Sequence, residues 1–253
     1  MDRIVFLGTG GSRRVMARQI LSTGGFILEM NDTMMSIDPG PGAIVRAAQE
    51  EINVDYLDGV LISHRHLDHC GDANVMTEAM TCGGYWKKGV VFAPGQAIYE
   101  DSVILKYLWD YVGKVQVIEE GKAYRCGNVD FETSMAHMHG EAETYGFIFR
   151  GEDYKLAYMS DTRYFEELSK FYSSDICIFS TVLVEPGRAY HLSLPDIEKL
   201  VEVIKPSTAI LTHFGMYVLD LGVDNAADRI RQATGINTIA AKDGMSLNLR
   251  ELL

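Results

Sequence analysis

No two cysteines of this chain stand in a CxxC spacing: Cys70, Cys82, Cys126 and Cys177 are scattered singly along 253 residues. That excludes the pattern of a thiolate zinc ribbon or a redox dithiol, and it points to reduced thiols rather than a disulfide framework. No apolar run approaches the ~18 residues that a membrane helix requires, so no membrane partner is expected. Basic residues are in deficit: 23 Lys and Arg against 35 Asp and Glu leave a formal charge of −12. This argues against a broad nucleic-acid footprint, though not against a local basic pocket. The opening "MDRIVFLGTGG" has no basic stretch before a long apolar one, so it reads as strand and turn rather than signal peptide, and a cytoplasmic protein is expected. Linkers, low-complexity tracts and internal repeats are missing too, which leaves one domain over 1–253 as the reading.

What is present is ordinary globular material, 47% hydrophobic residues, enough for a sizeable core. Short β-branched and aromatic runs alternate with turn signals and amphipathic stretches. Strands are predicted at 3–8, 25–30, 33–38, 58–63, 89–93, 114–118, 129–135, 144–149, 154–160, 175–180, 207–212, 237–241 and 245–249. Helices are predicted at 41–51, opened by Pro41, and at 70–80, 165–171, 191–206 and about 225–234. In 191–206, Ser193 and Asp196 fit a cap and first turn, and Pro206 lies just beyond the end. Interspersed helices and two similarly built halves indicate an α/β protein with mixed sheets. The run Gly8-Thr9-Gly10-Gly11 lacks the third glycine of a dinucleotide fingerprint and reads as a tight turn.

The chemistry gathers where apolar strands end. "TMMSI" runs into Asp38, "GVLIS" into His64, "KLAYMS" into Asp161 and "TAILT" into His213. Open α/β sheets collect their ligands at these carboxyl ends. "HRHLDH" at 64–69 adds His66, Asp68 and His69. Alternate residues of an extended segment point the same way, so His64 and His66 can face one metal. Asp68 and His69 follow a turn later and suit a second ion about 3.5–4 Å from the first, with a carboxylate bridging the two. Imidazole and carboxylate suit Zn²⁺, Mn²⁺ or Fe and not a thiolate-selective site.

"HRHLDH", with "DPGPG" upstream and "SDT" and "LTHFG" downstream, resembles the metallo-β-lactamase superfamily of hydrolases, in the family's motif order over nearly the whole chain. "FLGTGG", "ETYGF" and "HLSLPDI" are most similar to its ribonuclease Z and phosphodiesterase branch. The resemblance implies a four-layer αββα sandwich with two mixed β-sheets and metals at one edge between them. It implies two divalent ions, zinc foremost with manganese or iron as alternatives. His64, His66 and a third histidine would hold one, Asp68, His69 and His213 the other, and Asp161 would bridge them. "HMHGEAETYGF" offers both His137 and His139 as the third histidine; the family's short gap before "ETYG" favours His139. Asp38 would orient a ligand imidazole, or else be a turn residue before Pro39. His191 would donate a proton to the leaving group, or else be a loop histidine.

Such a centre lowers the pKa of a shared water and supplies hydroxide near neutral pH, with Asp68 orienting it. The expected reaction is hydrolysis of a phosphodiester. Transfer-RNA-processing members carry a long arm between the third histidine and the bridging aspartate; here only residues 140–160 lie there. A small phosphodiester or a short nucleic-acid end is therefore expected as substrate. Acyl or thioester hydrolysis, and iron-dependent oxidoreduction, are the alternatives on the same centre. Aromatic residues in "CGGYWKKG" and "LKYLWDYVG" are expected mostly in the core, with a pocket rim or homodimer face as the other reading. Lys87 and Lys88 read as solvated turn residues that could attract a phosphate.

Overall fold

Both faces of most strands are apolar, and this fixes the number of layers. In β1 (Arg3–Phe6) and β2 (Phe26–Met30), Ile4, Phe6, Phe26 and Leu28 face one cluster while Val5 and Ile27 face another. Alternation by two puts successive side chains on opposite sides of a sheet, so each sheet must be covered twice. The computed structural model describes residues 2–253.

The first sheet continues with β3 (Thr33–Ile37), β4 (Gly59–Leu61), β5 (Lys88–Pro94) and β6 (Val112–Ile118). The second is built from β7 (Ala123–Cys126), β8 (Val129–Thr133), β9 (Phe147–Arg150), β10 (Lys155–Met159), β11 (Ile176–Ser180), β12 (Thr208–Thr212) and β13 (Asn237–Ala240). The chain then returns as β14 (Ser246–Asn248) to the first sheet, giving two seven-stranded sheets ordered β14-β1-β2-β3-β4-β5-β6 and β13-β12-β11-β10-β9-β8-β7. Each is antiparallel on one side and parallel on the other: β3 to β6 in one, β10 to β13 in the other.

Phe6, Leu28, Phe131, Phe149, Tyr158 and Ile178 meet between the sheets in a shared core. Outside the first sheet lie α2 (Ala43–Gln49) and α4 (Ala73–Met80), burying Ala43, Ala47, Met76 and Met80. Outside the second lie α6 (Leu194–Ile204) and α8 (Val223–Thr234), burying Ile197, Leu200, Val201 and Ile230. The layers run α-β-β-α, the metallo-β-lactamase fold expected from the sequence. The capping box at Ser193 and Asp196 is present, with Oγ and Oδ2 2.5 Å apart.

Several elements depart from the predicted ones. The 70–80 helix is two: α3 (Leu67–Cys70) and α4, parted because Asp72 turns back to accept the Gly42 and Ile44 amides. Three elements have no counterpart among the predicted ones: α1 (Ser12–Arg18), α7 (Met216–Leu221) and β7. Each buries a single residue (Val15, Val218 and Cys126), so no apolar period marks them. The eighth helix, α5 (Leu168–Phe171), is shorter than predicted. The aromatics of 82–113 are mostly not in the core: Tyr85 is 89% exposed, and Trp86, Tyr107 and Trp109 are exposed as well. They sit on single turns at the surface, where an aromatic residue contributes no periodicity to distinguish it from a core one. Lys88 donates to the Asp55 carbonyl. No described helix is long and apolar enough to cross a membrane.

Candidate metal centre

The parallel strands of both sheets end at one edge, and their first residues beyond the ladder carry the polar chemistry. β3 gives Asp38, β4 gives Ser63 and His64, β10 gives Ser160 and Asp161, and β12 gives His213. Asp38 and His213 both adopt positive φ, +50° and +55°, a left-handed conformation uncommon outside glycine. It is the sharp turn there that swings each side chain off the strand axis and in toward the edge.

Six nitrogen-bearing rings and two carboxylates converge. Nδ1 of His66 lies 3.0 Å from Nε2 of both His64 and His139. Asp161 Oδ2 lies 3.5 Å from His69 Nε2, 3.6 Å from His139 Nε2 and 3.6 Å from His191 Nδ1. Asp161 Oδ1 is 3.3 Å from His213 Nδ1, and Asp68 Oδ2 is 3.5 Å from His213 Nε2. Donors held roughly 2.1 Å from one tetrahedral cation are spaced roughly 3.4 Å apart, so these separations are those of ligands around an ion. The donors fall into the groups His64–His66–His139, His64–His69–Asp161, Asp68–His69–His213 and His139–Asp161–His191.

The fit to a metal has a second mark. His69 Nε2, Asp161 Oδ1, His191 Nδ1 and both ring nitrogens of His213 are buried without a hydrogen-bond partner. A buried polar atom left unpaired costs about 1–3 kcal/mol, and five of the nine such atoms among the described residues sit in this one place. A bound divalent cation removes that cost.

The outer ring nitrogens are tied down. Asp38, 2% exposed, accepts from the Ser63 amide at 2.7 Å, the Ser63 hydroxyl at 2.7 Å, His69 Nδ1 at 2.8 Å and the Tyr158 hydroxyl at 2.9 Å. Ser63 Oγ also lies 3.0 Å from His64 Nδ1 and accepts from Ser160 Oγ at 2.8 Å. His139 Nδ1 donates to the Tyr190 carbonyl at 2.9 Å. Each of these bonds protonates the outer nitrogen and leaves Nε2 as a lone pair aimed inward. Gly11 shapes the opposite wall: a Cβ there would lie 2.2 Å from His213 Nδ1, so the backbone lies directly against the ring.

Burial first, and the positive neighbours second, push His66 down to about 4 and hold His64 below the ordinary imidazole range. Neutral rings are the form that ligates. His69 goes the other way: burial opposes its charge, but the Asp38 and Asp161 carboxylates outweigh burial and raise its pKa, so a cation bound there competes with a proton. Asp161 is held well below the usual carboxylate range, because the surrounding imidazoles outweigh its burial. On His191, burial opposes protonation and Asp161 favours it, with a net rise.

The structure thus brings together His64, His66, Asp68, His69, His139, Asp161 and His213, with His191 beside Asp161 at the mouth. It does not bring His137 in. His137 uses both nitrogens elsewhere, Nδ1 against the Asp161 carbonyl at 3.1 Å and Nε2 against the Tyr172 hydroxyl at 2.6 Å. Cys70 is also turned away, its thiol donating to the Arg65 carbonyl. In front of the centre opens a cleft of about 620 Å³. Its walls include Ser12, Arg13, Arg14 and Tyr190, which sequence reasoning passed over. The adjacent arginines of "SRR" were a visible charge pair, but nothing in the sequence placed them near the histidines.

A family model described as "Beta-lactamase superfamily domain" matches residues 33–214. An uncharacterised protein of Methanocaldococcus jannaschii is 29% identical over 97% of this chain and 94% of its own. Among solved structures, the metallo-β-lactamase fold protein YhfI from Bacillus subtilis superposes with a TM-score of 0.79 at 18% identity, covering 97% of this chain and 98% of that one. A diphosphatase of the PhnP family gives a TM-score of 0.71 at 18% identity, covering 98% of each chain.

Proposed function

The chain belongs to the β-lactamase superfamily and is a metal-dependent hydrolase by family and fold, and from that premise we propose that it hydrolyses a small phosphodiester at a dinuclear centre. His64, His66 and His139 would hold one divalent ion, Asp68, His69 and His213 the other, and Asp161 both. Zinc fits this set of imidazoles and carboxylates best. When bound, such a pair would lower the pKa of a water in the cleft and offset charge on the phosphoryl oxygens.

The chain's own groups supply the rest. Asp68 lines the cleft and would orient the attacking water through its carboxylate. His191 also lines the cleft, beside His139 with ring centroids 5.0 Å apart, and would give a proton to the departing alkoxide. Asp38, out of reach of substrate behind His69, would keep that imidazole in the ligating tautomer.

One observation carries the reading: two sets of nitrogen and oxygen donors flank Asp161, which lies 3.6 Å from His139 of one and 3.5 Å from His69 of the other, and Asp161, His69 and His213 leave orphaned inner atoms at the floor of an arginine-walled cleft. Arginine on the wall favours an anionic ester over a neutral acyl substrate. The neighbour of the same fold that is named a diphosphatase, and so acts at phosphorus, supports the same choice.

The test is elemental analysis of the purified protein together with turnover of bis(p-nitrophenyl) phosphate and of an acyl thioester. Two zinc ions per chain and phosphodiester turnover that Asp161→Asn abolishes together with metal loading are expected. Thioester turnover without phosphodiester turnover would overturn the assignment, as would full metal content in the variant.

A further inference from the structure

The lining of the cleft is charged in a way that the reaction at the floor does not require. On a chain of net charge −12 it carries three guanidinium groups, Arg13, Arg14 and Arg65. Outside the metal-donor cluster the cleft lining contains a single carboxylate, Glu141. Arg65 is paired with Asp101. Arg13 and Arg14 are exposed, and among the described residues neither forms an ion pair. Two adjacent uncompensated guanidiniums repel each other, and an acidic protein has ample carboxylate with which to neutralise them. Leaving them free beside a catalytic floor fits an anion that arrives from outside.

Their position is also fixed. The loop before α1 is sewn to the loop carrying His213: the Gly11 amide donates to the Phe214 carbonyl at 3.0 Å, and the Phe214 amide to the Thr9 carbonyl at 2.7 Å. Thr9 is in turn held by Asp243, through its amide and hydroxyl, each at 2.8 Å. With the Gly11 backbone lying against the His213 ring, the start of α1 cannot shift without moving a metal donor. The backbone that carries the two arginines therefore starts from a set place relative to the centre, which is what a binding subsite needs.

We propose that Arg13 and Arg14 form a second anion subsite, so that the substrate is a phosphodiester bearing an additional phosphate away from the bond that is cleaved. This rests on the phosphodiesterase reading above and sharpens it: one phosphate lies over the centre while the other is held by the guanidinium pair, with Arg65 beside it. A cleft of about 620 Å³ has room for a ligand of nucleotide size. Arginine's fork of donors matches phosphate geometry in a way that a lysine cannot.

The experiment compares the p-nitrophenyl ester of thymidine 5′-phosphate with the same ester carrying a 3′-phosphate. It uses the zinc-loaded full chain, Arg13→Ala/Arg14→Ala and, as a charge control on the same helix, Arg18→Ala. Charge-assisted bonds to the added phosphate predict a preference in kcat/KM of about 10–100-fold for the bisphosphate ester in the wild type and in Arg18→Ala, reduced to less than about threefold in the double variant. Calorimetric binding of thymidine 3′,5′-bisphosphate against thymidine 5′-phosphate, which needs no turnover, should show the same ratio and the same loss. A wild-type protein without preference in either measurement, or a double variant that keeps it, overturns the subsite. If the bisphosphate binds preferentially and neither ester is cleaved, the subsite stands and the phosphodiesterase reading fails. A preference lost equally in Arg18→Ala would mean general electrostatic attraction and would also overturn it.

Discussion

Replacing Asp38 by asparagine changes neither volume nor, to a first approximation, backbone, since asparagine tolerates the left-handed conformation that Asp38 adopts at φ +50°. What changes is the direction of the hydrogen bonds. Three donors point at Oδ2 (Ser63 Oγ, His69 Nδ1 and Tyr158 Oη) and one, the Ser63 amide, at Oδ1. If the asparagine carbonyl takes the Oδ2 position, its NH₂ faces the Ser63 N–H, donor against donor. If it flips, the NH₂ faces His69 Nδ1, which must then offer a lone pair and carry its proton on Nε2, into the metal centre. Either choice is costly. Bonds to a charged group contribute about 1.5–3 kcal/mol each, and an unpaired buried donor costs about 1–3 kcal/mol. With the hydroxyls free to rotate, we expect a net loss of about 2–4 kcal/mol, or roughly 5–15 °C in melting temperature for a chain of this size. Zinc affinity should fall about 10–100-fold, the usual penalty for losing the partner that orients a ligand imidazole. Thermal melts in excess chelator isolate the first effect, and competition against a chromophoric zinc chelator measures the second. Wild-type zinc affinity together with a melting temperature within about 2 °C of wild type would refute the account of Asp38 as the group that sets the His69 tautomer.

Two further substitutions test the geometry. Gly11→Ala places a Cβ 2.2 Å from His213 Nδ1 at a backbone φ of −132° that alanine adopts freely. The clash falls on the imidazole, and zinc content should drop from two to one per chain with an unchanged far-ultraviolet circular dichroism spectrum; two zincs at wild-type affinity would show that the ring is not held there. His139→Gln and His137→Gln should separate cleanly. The first should lower zinc affinity while leaving the chelator-treated protein's melting temperature nearly intact. The second breaks the buried contact with Tyr172 and should cost about 1–3 kcal/mol of stability, with zinc content retained. Elemental analysis and melting curves read both, and the opposite pattern would exchange the two histidines.

The elements that carry the site were legible because they are the regular ones. The strands leading to Asp38, His64, Asp161 and His213 are continuous apolar runs, buried on both faces between a shared core and a helical layer, so burial itself wrote them into the sequence. The capping box of α6 was legible for a local reason, a cap and its partner three residues apart. Local pattern offers His137 and His139 equally, and only the family resemblance favours His139: two residues apart, on a loop, they differ in what the fold places against them. Tyr172 and the Asp161 carbonyl take one, and the convergence with His66 takes the other.

What the sequence determined alone was the inventory: four strand ends with ligating side chains, a tight HxHxDH segment, and a deficit of positive charge. The tertiary structure decided which of these meet. Turns at positive φ swing Asp38 and His213 inward, a glycine makes room for the His213 ring, and the α1 arginines come to face histidines more than fifty residues away in the chain. Contacts of that range depend on how two sheets close on one core, and no local pattern of residues records that closure.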